Sequence, residues 1–303
     1  MDQAKTLKWC VVGFKFGRTR YELLGQWMTE KGLSHQLEFI ELAPTEFTAE
    51  FTEILNNYDQ VRIESPHGLS TYAHFKRHEA MMSQLKSVDC VVKDDLGQWW
   101  CRSLTYKSLC EALQGVGERI ELERPVLIVG AGSSARAALA ACAKMGFKKF
   151  NITNKYDDQG LELIREMKEN FFGLDFEFIP QHRLTLLPGS NCIAINTTPN
   201  DPSNDLLNEL YYFNFLKKNG VVVELNFSPM HTQLIRESLE IKNFVIYGYE
   251  LAAISDAYWL EWVTQKSLNK DVILEEIKNF YRINLSSRPE VRTPSPTNDE
   301  KIK

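Results

Sequence analysis

The sequence has few cysteines, no long apolar run and little net charge. Its six cysteines are dispersed and form no CxxC pair, which disfavours structural zinc and a disulfide framework. Apolar stretches such as 126–129 and 137–143 are far shorter than the roughly 18 residues of a membrane-spanning helix, and no secretory signal is recognisable. We therefore expect no metal site, no membrane partner and a cytoplasmic protein with reduced thiols.

Charge and composition narrow the class further. The 303 residues include 35 Lys and Arg against 40 Asp and Glu, a net charge of −5, so the surface lacks the basic character that binds polyphosphate. Hydrophobic residues make up 44% and charged residues 25%, the mixture of an ordinary folded protein. We expect a globular chain of about two domains that binds a small molecule and no nucleic acid.

Strand and helix patterns alternate along the chain, which is typical of an α/β fold with a parallel sheet. Buried strands are predicted at 8–14 and 37–42, and helices at 20–31, 47–57 and 71–86. The same alternation restarts in the second half of the sequence.

Gly115, Gly117 and the charged run after them mark the best domain boundary. The polar, proline-containing C-terminus shows no periodicity, which is typical of disorder. We predict a substrate-type domain over 1–118, a Rossmann domain over 119–254, C-terminal helices at about 255–285 that pack back on the first domain, and a disordered tail over 286–303.

The most informative segment is a GxGxxA pattern between a predicted strand and an alanine-rich helix. Gly130 permits the tight turn, Gly132 lets the backbone approach a diphosphate, and the small Ala135 lets the helix pack closely on the strand. The helix N-terminus then attracts the phosphates. This context predicts a dinucleotide site; the alternative is a turn whose glycines serve packing alone.

The end of the next strand predicts which dinucleotide binds. NAD sites place an acidic residue there for the ribose hydroxyl, whereas this chain has Asn154, Lys155 and Tyr156. An amide and a cation suit a 2′-phosphate, and the tyrosine can stack on adenine. NADP is therefore favoured over NAD, although Asp157 and Asp158 would oppose a phosphate if they pointed inward.

Five motifs resemble the shikimate dehydrogenase family: GAGSSARA at 130–137, NK at 154–155, NTTP at 196–199, VVVELNFSP at 221–229 and YGYELAAISDAYWLEW at 247–262. The resemblance implies a substrate domain, a Rossmann domain and a central cleft in which NADPH reversibly reduces 3-dehydroshikimate. It implies cofactor contacts from Gly130, Ala131, Gly132, Ser133, Ser134, Ala135, Asn154, Lys155, Tyr156, Asn196, Thr197, Thr198, Pro199, Leu225 and Gly248.

The catalytic positions of the family are changed in this chain. Family members carry a lysine in a motif that here reads RIESPHG, where Gly68 takes the lysine position and His67 is kept. Their asparagine and aspartate of an NTD motif align with Ser103 and Thr105. The resemblance therefore predicts that the usual acid–base pair is missing.

The substrate pocket implied by the resemblance is altered as well. Thr19 and Tyr21 replace two serines that bind the substrate carboxylate, Glu64 replaces a threonine, Phe227 a tyrosine and Ser255 a glutamine. A glutamate at position 64 would repel a carboxylate, unless an arginine turns inward to pair with either group. The candidate arginines are Arg18, Arg20 and Arg62.

Two hypotheses follow. The first is an NADP-dependent oxidoreductase that acts on a small hydroxy or oxo compound other than shikimate, with His67 or Asp89 as a replacement proton donor. The second is a non-catalytic dinucleotide-binding sensor or partner protein. A true shikimate or quinate dehydrogenase would require a different alignment at the catalytic positions. A homodimer formed through the edge of the first domain is a further expectation.

Overall fold

The computed structural model describes residues 6–94, 96–201, 203–265 and 267–288, which form two sheets flanked by helices. The first sheet has the order β2-β1-β3-β4-β5. Strand β1 runs parallel to β2 and β3, whereas β4 is antiparallel to β3 and β5. Its strands are β1 (Leu7–Gly13), β2 (His35–Glu41), β3 (Gln60–Ile63), β4 (Cys90–Lys93) and β5 (Trp99–Arg102).

Five helices accompany the first sheet in the described part of the chain. Buried apolar side chains of α2 (Phe47–Asn57) occur at helical spacing, at Phe47, Phe51, Ile54 and Leu55, and pack on the sheet. The others are α1 (Thr19–Glu30), α3 (Gly68–His74), α4 (Ala80–Leu85) and α5 (Leu104–Gln114).

The single helix predicted over 71–86 is wrong, because the chain breaks between α3 and α4. Phe75 and Glu79 adopt extended backbone. The Phe75 ring lies edge-on to Phe51 of α2, with centroids 6.4 Å apart, and Tyr72 stacks on His78 at 3.9 Å. Packing of these aromatic rings outweighs the small gain from continuing an exposed helix.

The second sheet is entirely parallel and has the order β11-β10-β9-β6-β7-β8. This is the doubly wound order, in which ligands bind where the chain reverses direction from the central strand. That point lies at the carboxyl end of β6, between β7 and β9. The strands are β6 (Val126–Val129), β7 (Lys149–Thr153), β8 (Asp175–Phe178), β9 (Asn191–Asn196), β10 (Leu216–Glu224) and β11 (Phe244–Ile246).

The helices of the second half begin with α6 (Ser133–Met145), whose alanine-rich face is buried against β6 and against α5 of the first half. Small side chains let α6 approach both neighbours closely. The remaining helices are α7 (Asp157–Asn170), α8 (Gln181–Leu184), α9 (Leu206–Leu210) and α10 (Gln233–Glu240).

The last two helices return to the first sheet. Helix α11 (Gly248–Val263) packs on α5 and on α12 (Lys270–Ser286), and α12 also contacts α1. Trp9 of β1 and Trp259 of α11 meet in this core, with ring centroids 4.7 Å apart. Burial of large aromatic rings makes this a strong contact between the two ends of the chain.

The predicted domain boundary at 118/119 falls within the short 3-10 turn Gly117–Arg119, between the two sheets. The division into domains stays a prediction. The predicted tail starts inside α12, which continues to Ser286, and residues 289–303 lie outside the described residues. No helix of the described ranges is long and apolar enough to cross a membrane.

The packing of α12 can be tested with a matched pair of isoleucines. Ile277 is fully buried, whereas Ile283 on the same helix is 62% exposed. Ile277→Ala should lower the free energy of unfolding by about 2–5 kcal/mol, because it leaves a cavity. Ile283→Ala should change it by less than about 0.5 kcal/mol. Urea denaturation measures both values, and equal effects would contradict the docked position of α12.

Candidate functional site

The β6–α6 turn has the shape that a diphosphate needs. Gly130 has φ +111°, and a Cβ atom there would lie 2.4 Å from Thr197 Oγ1, so only glycine fits. At Gly132, just before α6, a Cβ atom would meet nothing within 4 Å. The N-terminus of the 13-residue α6 therefore opens onto free space, where its backbone N–H groups can bind an anion.

The predicted nucleotide-specificity residues follow β7. Asn154 is buried and its amide donates to the carbonyl of Tyr156 at 2.9 Å. Lys155 Nζ donates to the carbonyl of Ser203 at 2.8 Å and lies 3.8 Å from Asp205. The Tyr156 ring is 55% exposed. A cation and an exposed ring thus follow one another in the loop after β7.

A buried glutamate that the sequence analysis did not single out organises the opposite side of the turn. Glu224, at the end of β10, accepts hydrogen bonds from the side chains of Asn196, Asn226 and Thr232. Burial raises the pKa of Glu224, and these hydrogen bonds oppose the shift. The carboxylate joins the loops after β9 and β10, which hold the NTTP motif and Phe227.

The remaining predicted cofactor residues lie on these loops. Thr197 donates to the carbonyl of Val129 at 2.6 Å, and Thr198 donates to Asn196 at 2.7 Å. Leu225 follows β10, and its N–H donates to the carbonyl of Asn196 at 3.2 Å. At Gly248 a Cβ atom would lie 2.1 Å from a carbonyl of the same loop, so the start of α11 packs directly on it. Ala131, Ser133 and Ser134 are half-buried in the glycine turn itself, and Pro199 follows Thr198.

The first half of the chain touches the glycine turn. A Cβ atom at Gly68 would lie 2.3 Å from Ser133 Oγ and 2.9 Å from the carbonyl of Val88. Ser87 Oγ also donates to the carbonyl of Ser133 at 2.8 Å. We call the region between residues 64–68 and the turn at 130–135 the cleft. Gly68, where the resemblance predicts the family lysine position, is thus a close contact across the cleft.

Asp89, a predicted proton donor, binds the N-terminus of α5. Its two carboxylate oxygens accept the N–H groups of Leu104 at 2.7 Å and Thr105 at 2.6 Å. Ser103 is the N-cap of the same helix, and Ser255 Oγ donates to the carbonyl of Leu104 at 3.4 Å. The structure therefore brings these four predicted site residues together around one helix end, which a carboxylate stabilises.

His67, the other predicted donor, is fully buried in the first half. Its Nε2 donates to the carbonyl of Leu42 at 2.9 Å, and its ring stacks on Phe47 with centroids 4.6 Å apart. Burial lowers the pKa of His67, and the bond to Leu42 opposes the shift. The imidazole is therefore neutral near pH 7, and both contacts belong to its own half of the chain.

A buried carboxylate lies between two arginines of the first half of the chain. Asp256 of α11 accepts from Arg20 at 2.7 and 3.0 Å, from Arg62 at 2.8 Å and from Tyr281 at 2.7 Å. We call these four residues the Asp256 cluster. Burial alone would raise the pKa of Asp256, but the adjacent guanidinium groups lower it overall. Sequence reasoning missed Asp256 and Tyr281, because their partners are far away along the chain.

The remaining pocket residues surround this cluster. Tyr21 donates to Glu64 Oε1 at 2.5 Å, and burial together with the Glu64 charge raises the pKa of Tyr21 well above its usual value. Phe227 lies edge-on to Tyr281, with centroids 5.1 Å apart. Thr19 Oγ1 accepts from Arg288 at 3.0 Å, at the end of the described chain.

No protein-family model matches the chain. Comparison of the whole sequence with curated proteins does find relatives. Over 170 residues it is 26% identical to the shikimate dehydrogenase of Thermotoga petrophila, a match that covers 56% of this chain and 62% of the relative. It is 24% identical over 213 residues to the NADP(+) shikimate dehydrogenase of Shouchella clausii, covering 70% and 75%. In sequence, this chain thus resembles the shikimate dehydrogenase family.

Solved structures show that the whole family fold is present. The shikimate 5-dehydrogenase of Thermus thermophilus, in complex with NADP(H) and shikimate, matches with a TM-score of 0.71 and 20% identity, covering 92% of this chain and 99% of that one. The quinate dehydrogenase of Corynebacterium glutamicum, in complex with NAD, matches with a TM-score of 0.75 and 13% identity, covering 92% and 99%. At these identities the likeness concerns the fold. Within the described residues, no group of His, Cys, Asp or Glu could hold a metal ion.

The Asp256 cluster should be indispensable to folding. Asp256→Asn leaves two buried guanidinium groups without a counter-charge, and we expect a loss of about 3–5 kcal/mol at pH 7. Because the folded-state pKa of Asp256 lies below its usual 3.8, its contribution is present above that pH and is lost as the pH falls further. As the pH falls below that range, the free energy of unfolding of Asp256→Asn should therefore decrease less than that of the unmodified protein. Urea unfolding at several pH values measures both effects, and Asp175→Asn, at an exposed position, is the control.

Proposed function

We propose that this protein is an NADP-dependent oxidoreductase that acts on a small hydroxy or oxo compound other than shikimate. The observation that supports the proposal most is the contrast across the cleft. The β6–α6 turn keeps an open helix N-terminus at Gly132, whereas Gly68, opposite it, has no room for the family lysine. The cofactor side is intact and the substrate side is rebuilt.

The residues of the turn fit a dinucleotide. The free space beyond Gly132 would receive the diphosphate, and Lys155 with Tyr156 would hold the adenosine 2′-phosphate and the adenine ring. When bound, the cofactor supplies or accepts a hydride. The curated relatives include enzymes named NADP(+) shikimate dehydrogenase, which supports NADP over NAD.

The substrate side argues against shikimate. The positions of the family lysine and aspartate hold Gly68 and Thr105, and neither can transfer a proton near neutral pH. The predicted replacements, His67 and Asp89, remain predictions. Each already forms hydrogen bonds within the fold, and a role in proton transfer would require those bonds to be shared with the substrate.

The second candidate function is a non-catalytic NADP-binding protein. One observation favours it: the Ser87–Ser133 hydrogen bond and the Gly68 contact join the two halves at the predicted position of the family lysine. Binding of NADP would then strengthen or weaken the contact between the two halves, and no substrate would be converted. Turnover of any substrate distinguishes the two functions.

Calorimetric titration with NADPH, NADP⁺ and NADH, followed by shikimate and quinate oxidation assays, tests the proposal. We expect micromolar binding of the NADP forms and no oxidation of either acid. Absence of dinucleotide binding would overturn both candidate functions. Efficient oxidation of shikimate would contradict the proposal that the substrate is a compound other than shikimate. A screen of uncharged alcohols with NADP⁺ then separates the oxidoreductase from the binding protein.

Lys155 should determine the preference for NADP. Lys155→Ala removes the cation beside the 2′-phosphate, so we expect NADPH affinity to fall at least about tenfold and NADH affinity to stay within about twofold. Lys168→Ala, on the exposed face of α7, is the matched control and should change neither. Equal losses for both cofactors would show that Lys155 does not contact the 2′-phosphate.

Gly132→Ala should separate binding from folding. Because a Cβ atom there meets no protein atom within 4 Å, the free energy of unfolding should change by less than about 0.5 kcal/mol. The added methyl group occupies the space of the diphosphate, so NADPH affinity should fall at least about tenfold. Gly115→Ala, at the end of α5, is the control for the glycine-to-alanine change. Unchanged NADPH binding in Gly132→Ala would place the cofactor elsewhere.

A further inference from the structure

We propose that the substrate of this cleft carries no carboxylate, and that Glu64 selects an uncharged, hydroxyl-bearing ring compound. The inference rests on the proposed function, because it names the substrate class for the same site. It follows from which charged groups in the pocket are already neutralised by neighbouring residues and which remain available to a ligand.

The arginines that could bind an anionic substrate are engaged elsewhere. Arg20 donates through Nε and Nη2 to Asp256, and Arg62 donates through Nη1 to the same carboxylate. Asp256 is fully buried and Arg62 is 1% exposed. If either arginine turned toward a ligand, it would weaken the pairing of this buried carboxylate. Arg18 lies over the Phe39 ring, 5.1 Å from its centroid.

Aromatic rings enclose Arg62 on two sides. Its guanidinium carbon lies 5.3 Å from the centroid of Tyr21 and 5.6 Å from that of Trp259. Rings at this distance stabilise a cation and separate it from solvent. The positive charge is thus a fixed part of the core rather than a ligand-binding group.

Glu64 is a charged group at the edge of the cleft. It directly follows β3, where the carboxyl end of a parallel strand commonly binds ligands, and it is half-buried. A Cβ atom on Gly13 would lie 2.8 Å from the Glu64 Cβ, so the glutamate stands beside the end of β1. Four residues later, Gly68 contacts Ser133 of the glycine turn.

The charges of this region already balance without a ligand. Arg20 and Arg62 contribute two positive charges, and Asp256 and Glu64 two negative charges. Tyr21 joins the two sets, since it donates to Glu64 and lies against Arg62. A ligand carboxylate beside Glu64 would add a third negative charge to this set, and it would be repelled by Glu64.

An uncharged hydroxyl meets no such penalty. A carboxylate accepts up to four hydrogen bonds, and Tyr21 supplies one to Oε1. A ligand hydroxyl can donate to the same carboxylate in a charge-assisted hydrogen bond. Glu64 thereby favours an alcohol at the position where an acid would be rejected.

The test compares two ring compounds that differ in one group: trans-1,4-cyclohexanediol and trans-4-hydroxycyclohexanecarboxylate. Their binding to the full chain is measured by ligand-observed NMR, with and without NADPH. We expect the diol to bind at least about tenfold more tightly than the acid. Equal binding, or tighter binding of the acid, would overturn the inference.

Glu64→Gln assigns the selectivity to the charge. The amide oxygen can still accept from Tyr21, so the pocket keeps its shape while the negative charge is removed. We expect the preference for the diol over the acid to shrink at least about tenfold. Glu53→Gln, at an exposed position of α2, should leave the preference unchanged. An unaltered preference in Glu64→Gln contradicts the role of Glu64.

A second measurement does not depend on ranking two affinities. The ¹⁵N-edited signal of the Arg20 Nε–H group, assigned with Arg20→Lys, reports the hydrogen bond to Asp256. Adding the acid should leave this signal in place, and a saturable shift would show that Arg20 binds the ligand carboxylate and would overturn the inference.

The NADPH titration is separate from these measurements. If NADPH fails to bind, the proposed function fails, whereas the preference for the diol measured without NADPH still tests the pocket.

Discussion

The Asp256 carboxylate, buried between two guanidinium groups, is the constraint on which the packing of the first half depends. It joins α11 to Arg20 of α1, Arg62 of β3 and Tyr281 of α12. Removing one partner of such a group leaves an uncompensated buried charge, so the C-terminal helices and the first sheet are held as one unit. The same pairing neutralises the charges of Arg20 and Arg62, and the proposed selectivity of the pocket rests on this pairing.

The second half depends on close backbone approach. At the carboxyl end of β6, Gly130 packs against Thr197, and the space beyond Gly132 stays open. Glu224 holds the loops after β9 and β10 against the same turn. These features reproduce the site at which doubly wound sheets bind dinucleotides, which explains why the family likeness is most specific there.

The predicted pocket residues of the first half contact one another and the core around them. Tyr21 bonds to Glu64, and Phe227 packs on the tyrosine that binds Asp256. Gly68 permits a contact with Ser133 that a larger residue would prevent. A fold can keep its cofactor site while the residues opposite it change, because function depends on the site and not on the architecture.

The sequence by itself determined the features that local patterns encode: the alternation of strands and helices and the glycine turn. It also led to the prediction that Gly68 and Thr105 stand where the family carries a lysine and an aspartate. Only the tertiary structure decided which charges meet. Asp256 lies 194 residues from Arg62 and 236 from Arg20 along the chain, so no spacing rule predicts the pairing. The break at Phe75 and the burial of His67 likewise depend on α2, because contacts with a distant helix outweigh local preference.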